Sequence, residues 1–180
     1  RQVLKTEEKK AIALKCDALI QTGEITYLDN STTAWFIANK IASRKLTVVT
    51  NSLEIANILS SSQTIHLFLI GGEYSHRTKS FEGSSTHRSL KQYFFDKAFI
   101  SCRSVDIEFG ITDTSDTSAV IHHLALSHAK QKYLVVDHSK LDKVSFTSVA
   151  PLPELDGIVM DTEFSPEWKD FLDRNNIRYY

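Results

Sequence analysis

Residues Glu24–Thr50 read EITYLDNSTTAWFIANKIASRKLTVVT. EITYLD (24–29) holds an apolar segment that stops at an acid and reads as a strand. A cluster of one amide and three hydroxyls follows at Asn30–Thr33. The apolar positions after it, Trp35 or Phe36 with Ile37 and Ile41, fall at helical spacing. LTVVT (46–50) is a β-branched run and reads as a second, buried strand. Strand, helix and strand in so short a stretch point to a parallel pair joined by a helical crossover.

The same alternation continues in both directions. Upstream, Ile12, Cys16, Leu19 and Ile20 share one face of a helix ending at Gly23, while Glu7, Glu8, Lys9 and Lys10 are polar. Downstream, NSLEIANILS (51–60) opens on cap residues and runs on as a helix. TIHLFLI (64–70) reads as a buried strand stopped by Gly71 and Gly72. Residues 74–86 are polar and glycine-containing, hence a loop. A helix over 86–94, a strand over 97–102, a loop over 103–116, a helix over 118–130 and a strand over 132–137 follow. Residues 138–156 form a long polar segment with the first two prolines, and a strand (157–161), a helix (165–176) and a last strand (177–180) close the chain. This order predicts a Rossmann-like, doubly wound α/β fold, with a mostly parallel sheet covered by helices on both faces. One domain over 1–180 is expected, with a small excursion in the proline-containing segment.

Bulk properties narrow the function. A formal net charge of −1 lacks the basic excess of a domain that grips nucleic acid by itself. No apolar run approaches the ~20 residues of a membrane span, and RQVLKTEEKK is too charged for a signal peptide. Two cysteines, Cys16 and Cys102, make no disulfide framework, and a reducing cytosol is the simpler setting. The chain begins without Met and close to a helical pattern, so a fragment of a longer protein is expected.

In an open α/β sheet, ligands sit beyond the carboxyl ends of the strands. Each predicted exit carries small polar residues: Asp29–Thr33, then Thr50, Asn51 and Ser52, then Gly71 and Gly72, then SCRSVD (101–106), then Asp137–Lys140. The first amides of a helix lack internal partners and sit in a positive dipole field. Hydroxyls donate to phosphate oxygens, glycine admits close backbone approach, and Lys140 or Arg103 can add a charged contact. Asp29 and Asp137 can accept from sugar hydroxyls. At any single exit, ordinary helix capping is the stronger reading. The convergence of four or five exits on one rim favours an anion or polyol site. No GxGxxG or Walker loop is present, so neither a dinucleotide nor a nucleoside triphosphate, nor any other cofactor, is indicated.

His122, His123 and His128 share one predicted helix at spacings that do not pair them on one face, so no metal site is read. Each reads by default as a partly exposed helix residue, with at most one of His122 and His123 facing the sheet. GxSxG and HExxH signatures are absent. Asp96, Asp106, Asp113 and Asp137 all lie near loops, but no catalytic residue is assigned.

LDNSTT, TVVTNSLEIA, LIGGEY, FDKAFISC, GITD, YLVVDHSK and DGIVMD occur in this order. The ordered set resembles the C-terminal effector-sensing domain of DeoR-type bacterial transcription regulators, most nearly those of the lactose-phosphotransferase repressor type. The resemblance runs from about Glu8 to Tyr180. It implies a fold similar to ribose-5-phosphate isomerase and glucosamine-6-phosphate deaminase, a phosphorylated-sugar effector, and oligomerisation through this domain. It also implies operator binding through a winged helix-turn-helix that is not in this chain. By the same resemblance, Asn30–Thr33 form the phosphate loop with Asn51 and Ser52 in support. Gly71 and Gly72 lie close to the ligand, and Asp137, Ser139 and Lys140 face it from the opposite side. Two departures stand out. Ser31 replaces a usual glycine, which is expected to alter the backbone or narrow the pocket. Ser118 and His122 replace a usual acid and Lys; His122 is expected to be at most partly charged and reaches less far. Related isomerases draw catalytic groups from that helix, so the change argues against retained isomerase chemistry. The expected function is a ligand-sensing regulator domain, not an enzyme; the alternatives are a sugar-phosphate isomerase or deaminase, and an interaction domain without a ligand.

Overall fold

Strand β1 (Ile25–Leu28), helix α2 (Thr32–Ile41) and strand β2 (Leu46–Thr50) form the crossover unit read from Glu24–Thr50, following helix α1 (Thr6–Leu19). The computed structural model describes residues 4–180. Ile25 lies opposite Thr47 and Leu28 opposite Thr50, in parallel register. Helix α3 (Leu53–Leu59) leads to β3 (Ile65–Leu69), parallel to β2. After a short hairpin of β4 (Glu73–Ser75) and β5 (Ser80–Glu82) and helix α4 (Ser84–Leu90), the chain returns to the other side of β1 as β6 (Phe95–Ile100). A second hairpin, β7 (Ser104–Asp106) and β8 (Gly110–Asp113), precedes helix α5 (Asp116–Ser127) and strand β9 (Ala129–Val136). Strand β10 (Thr147–Ala150) pairs antiparallel with β8, and β11 (Gly157–Met160), α6 (Pro166–Arg174) and β12 (Arg178–Tyr179) close the fold. The seven-stranded sheet has the order β12-β11-β9-β6-β1-β2-β3, and all six neighbouring pairs are parallel. The doubly wound α/β architecture is therefore present as read, and its order reverses between β1 and β6.

Period-two alternation divides the strands between two cores. Tyr27, Val49, Ala98, Ile100, Leu134, Val136, Ile158 and Met160 face one side, where Leu90, Ile121, Ala125, Trp168 and Leu172 of α4, α5 and α6 cover them. Leu28, Val48, Phe99, Val135 and Val159 face the other, under Ile12 and Cys16 of α1, Ile37 and Ile41 of α2, and Ile55 and Leu59 of α3. Serine caps four of the helices: Ser31, Ser52, Ser115 and Ser165 each accept the third amide beyond them.

Three expectations are corrected. TIHLFLI is not a buried strand: β3 is the sheet edge, and His66, Phe68 and Leu69 are exposed because nothing packs beyond it. The two glycine-containing loops, 74–86 and 103–116, each contain an antiparallel hairpin of strands three or four residues long, too short to show a period. The long polar segment contributes β10 to a three-stranded sheet, β10-β8-β7. Lys9 also departs from its expected exposure, since it shares the buried α1 face with Ile12, Ala13 and Cys16.

Candidate functional site

The reversal between β1 and β6 leaves a crevice at the carboxyl ends of the parallel strands, where neighbouring connections diverge to opposite faces. Asp29 sits at its floor, fully buried. Its Oδ1 accepts the Ser31 amide at 3.0 Å and the Ser31 hydroxyl at 2.6 Å. Its Oδ2 accepts the Ser101 amide at 2.7 Å, across the switch from β1 to β6, and faces His122 Nε2 at 3.2 Å. A carboxylate offers about four lone-pair sites, so Asp29 has none left for a ligand hydroxyl. Its role is to lock the two strand exits together.

Ser31 also accepts the Ala34 amide at 3.0 Å, capping α2. Its backbone, at φ −74° and ψ 156°, is ordinary extended chain that requires no glycine. The side chain is turned onto Asp29 and the helix end. The amides of Thr32 and Thr33, in the first turn of α2, have no intrahelical acceptor, and both residues line the cleft.

Above this turn lies the β4–β5 hairpin. Asn30 Nδ2 donates to Ser80 Oγ at 2.9 Å, and Ser80 Oγ bonds Thr78 Oγ1 at 2.8 Å. Asn51 donates from Nδ2 to the Phe81 carbonyl at 2.9 Å, and its own carbonyl accepts the Phe81 amide at 2.9 Å. Ser52 caps α3 and forms a bridge with Ser80. Asn51 and Ser52 are thus buried supports of the hairpin and do not line the cleft.

On the opposite wall, α5 presents His122, with its imidazole between Asp29 and Asp113. Its Nδ1 lies 3.6 Å from Asp113 Oδ2, too far for a hydrogen bond and close enough for an ion pair. Burial by itself would lower the His122 pKa. The hydrogen bond to Asp29 and the charges of Asp29 and Asp113 outweigh it, and the pKa is raised. Burial would likewise raise that of Asp29, but the His122 contact and the Ser101 and Ser31 donors hold it below the usual carboxylate value. His122 is therefore buried, not partly exposed as expected, and its two carboxylate neighbours favour the charged form that burial opposes. His123, its neighbour, is exposed.

The cleft has a volume of about 240 Å³. Besides Asp29, Asn30, Ser31, Thr32, Thr33 and His122, it brings together Arg103 and Lys140 as expected from sequence, and adds Lys9, Arg77, Thr78, Ser101, Asp113 and Ser118. Four Lys and Arg side chains thus face it against two carboxylates, both within ion-pair reach of His122. Burial pushes the Cys102 thiol in the wall well above its usual value, so it stands there as a thiol. Gly71, Gly72, Asp137 and Ser139 do not line the cleft. The Gly71 carbonyl accepts the Thr86 hydroxyl at 2.8 Å, and Gly72 packs against that side chain where a Cβ would collide. Asp137 accepts the Ser139 amide at 2.9 Å and the Ser139 hydroxyl, and so shapes the turn His138–Lys140 that presents Lys140. The sequence signal that could have found Lys9 is its place three residues before Ile12 on the apolar face of α1; Arg77 gave no such signal. Among the described residues, no group of three His, Cys, Asp or Glu side chains is arranged to hold a metal ion.

A sequence model described as the DeoR C terminal sensor domain matches residues 4–162. The lactose phosphotransferase system repressor of Staphylococcus aureus (strain NCTC 8325 / PS 47) is 39% identical over 158 residues, 87% of this chain and 62% of that protein. The uncharacterized HTH-type transcriptional regulator YulB of Bacillus subtilis (strain 168) is 32% identical over 166 residues, 92% of this chain and 64% of that protein. The chain thus spans less than two thirds of the length of these relatives. Among solved structures, ribose 5-phosphate isomerase A from Methanocaldococcus jannaschii superposes with a TM-score of 0.54 at 16% identity, covering 74% of this chain and 53% of that one. The eIF2B delta subunit of Chaetomium thermophilum superposes with a TM-score of 0.65 at 13% identity, covering 89% and 57%. At such identities the likeness is one of fold.

Proposed function

Because the chain belongs to the DeoR C-terminal sensor domain family, we propose that it is the effector-sensing domain of a bacterial transcription regulator of sugar catabolism and that its effector is a phosphorylated sugar. The observation that carries this reading is the cation-rich cleft over the open first turn of α2, at the reversal point of the sheet. A phosphate fits the Thr32 and Thr33 amides, where the helix dipole and four side-chain cations favour negative charge. Asp113 and Ser118, in the same cleft, are left to meet hydroxyls.

In this reading operator contacts belong to a DNA-binding segment outside the chain, in keeping with the net charge of −1. The protein works in the cytoplasm as a homo-oligomer. The effector acts by binding one arrangement of the domain or its assembly more tightly than another, since equal binding would shift nothing. The relatives in sequence are named as repressors and regulators, and no observation at the cleft favours isomerase or deaminase turnover.

The test is thermal unfolding with hexose 6-phosphates and pentose 5-phosphates, with the unphosphorylated sugars as controls. An effector at one hundred times its Kd adds about 2.7 kcal/mol of stability. Stabilisation by a phosphate ester, with none from its parent sugar and no turnover, is the expected result. A flat response to every phosphate would overturn the reading, and conversion of a bound phosphate to product would replace it with the enzyme.

A further inference from the structure

We infer that Arg77, on the turn of the β4–β5 hairpin, is a ligand-contacting residue that closes on the phosphate from above the α2 N-terminus, and that Asn51 is a positioning residue holding the hairpin there. This inference rests on the phosphate-ester reading of the cleft.

The hairpin is a fixed arm. Four hydrogen bonds tie it to the exits of β1 and β2, the strands that frame the phosphate side of the cleft. Asn30 holds Ser80, and Asn51 holds Phe81 from both its side chain and its backbone. The Leu53 amide donates to the Lys79 carbonyl at 3.0 Å, and Tyr27 in β1 donates its hydroxyl to Asn51 Oδ1 at 3.2 Å. The turn is fixed as well: Lys79 adopts a left-handed φ of 53° and its amide returns to the Ser75 carbonyl at 2.8 Å. These bonds set the backbone of residues 77 and 78 beside Asn30, next to the first turn of α2.

The charges nearby are differently committed. Lys79 pairs with Glu54, and Lys9 Nζ bonds the Leu4 carbonyl. Arg77 lines the cleft, is exposed, and among the described residues makes no hydrogen bond or ion pair. A guanidinium offers planar paired donors that match two oxygens of a phosphate, which an ammonium cannot reproduce. The helix amides below and the guanidinium above would take the phosphate between them. Asn51, expected from sequence as a support of the phosphate loop, acts at one remove by fixing where Arg77 stands.

Binding is measured by calorimetry with glucose 6-phosphate, galactose 6-phosphate, fructose 6-phosphate and ribose 5-phosphate, and with inorganic phosphate. Arg77→Gln is expected to weaken the tightest of these probes by at least about tenfold while the unliganded melting temperature stays unchanged. Arg77→Lys recovers part of the loss, because charge returns without the fork. Asn51→Ala weakens binding in the native background and adds little on top of Arg77→Gln, as expected of two residues acting through one contact. Arg77→Gln binding within roughly twofold of the native chain, or an equal Asn51→Ala penalty in both backgrounds, would overturn the inference and leave the phosphate reading standing. No binding of any probe by the native chain would overturn both.

Discussion

Asp29 directs all of its acceptor capacity into the protein, and His122 faces it with a pKa raised toward the charged form. The two groups give stability opposite pH limits. The folded pKa of His122 is raised above its unfolded value near 6.5, so its contribution is full below that value and is lost as pH rises through the folded pKa. That of Asp29 is lowered, so its contribution is present above the unfolded value of about 3.9 and is lost as pH falls through the folded pKa. Urea titrations are therefore expected to show unfolding free energy declining as pH rises from the unfolded value near 6.5 through the raised folded pKa of His122. In His122→Gln that decline disappears; its persistence would assign the alkaline limb to another group. Ser31 shows how far one residue can be read alone. Its hydroxyl caps the helix, and the groups of the loop proposed to meet the phosphate are the Thr32 and Thr33 amides, which any side chain would carry. The raised pKa of His122 was illegible because it depends on two carboxylates from other elements.

At the scale of elements, the long strands and helices were legible because their periods run for several residues. The hairpins were not, because strands of three residues among glycines and hydroxyls carry no period. The glycine pair before β4 shows a related limit. Gly72 has φ +149°, and a Cβ there would lie 2.0 Å from Thr86 Oγ1 and 3.1 Å from the Glu82 carbonyl. The residue makes room for the start of α4, a packing reason unconnected with a ligand. Gly72→Ala is expected to lower stability by about 1–3 kcal/mol through overpacking, read as a shift of the urea midpoint at unchanged slope. Its phosphate affinity should survive at temperatures where the protein is folded. A large loss of affinity with little loss of stability would instead return Gly72 to the site.

At the scale of the whole molecule, strand order makes the site. The chain lays down β1, β2 and β3 in one direction, then returns to place β6, β9, β11 and β12 in the other. Residues 29–33 and 76–80, remote in sequence, thereby become two sides of one crevice. Hydrogen exchange should report them together: a bound sugar phosphate is expected to slow exchange in both segments at the same concentration, while β12 at the far edge stays unchanged. Protection of 29–33 alone would separate the hairpin from the site. The sequence by itself determined the α/β class, the layered cores and the small polar residues at the strand exits, because side-chain period and cap chemistry are local properties. Only the tertiary structure decided which exits meet. It placed Asn51 and Ser52 beneath the β4–β5 hairpin, directed Gly71, Gly72 and Asp137 to local packing and turns, and delivered Arg77 and His122 to the cleft. Those outcomes depend on strand order and on fields from distant residues, neither of which is written in any one segment.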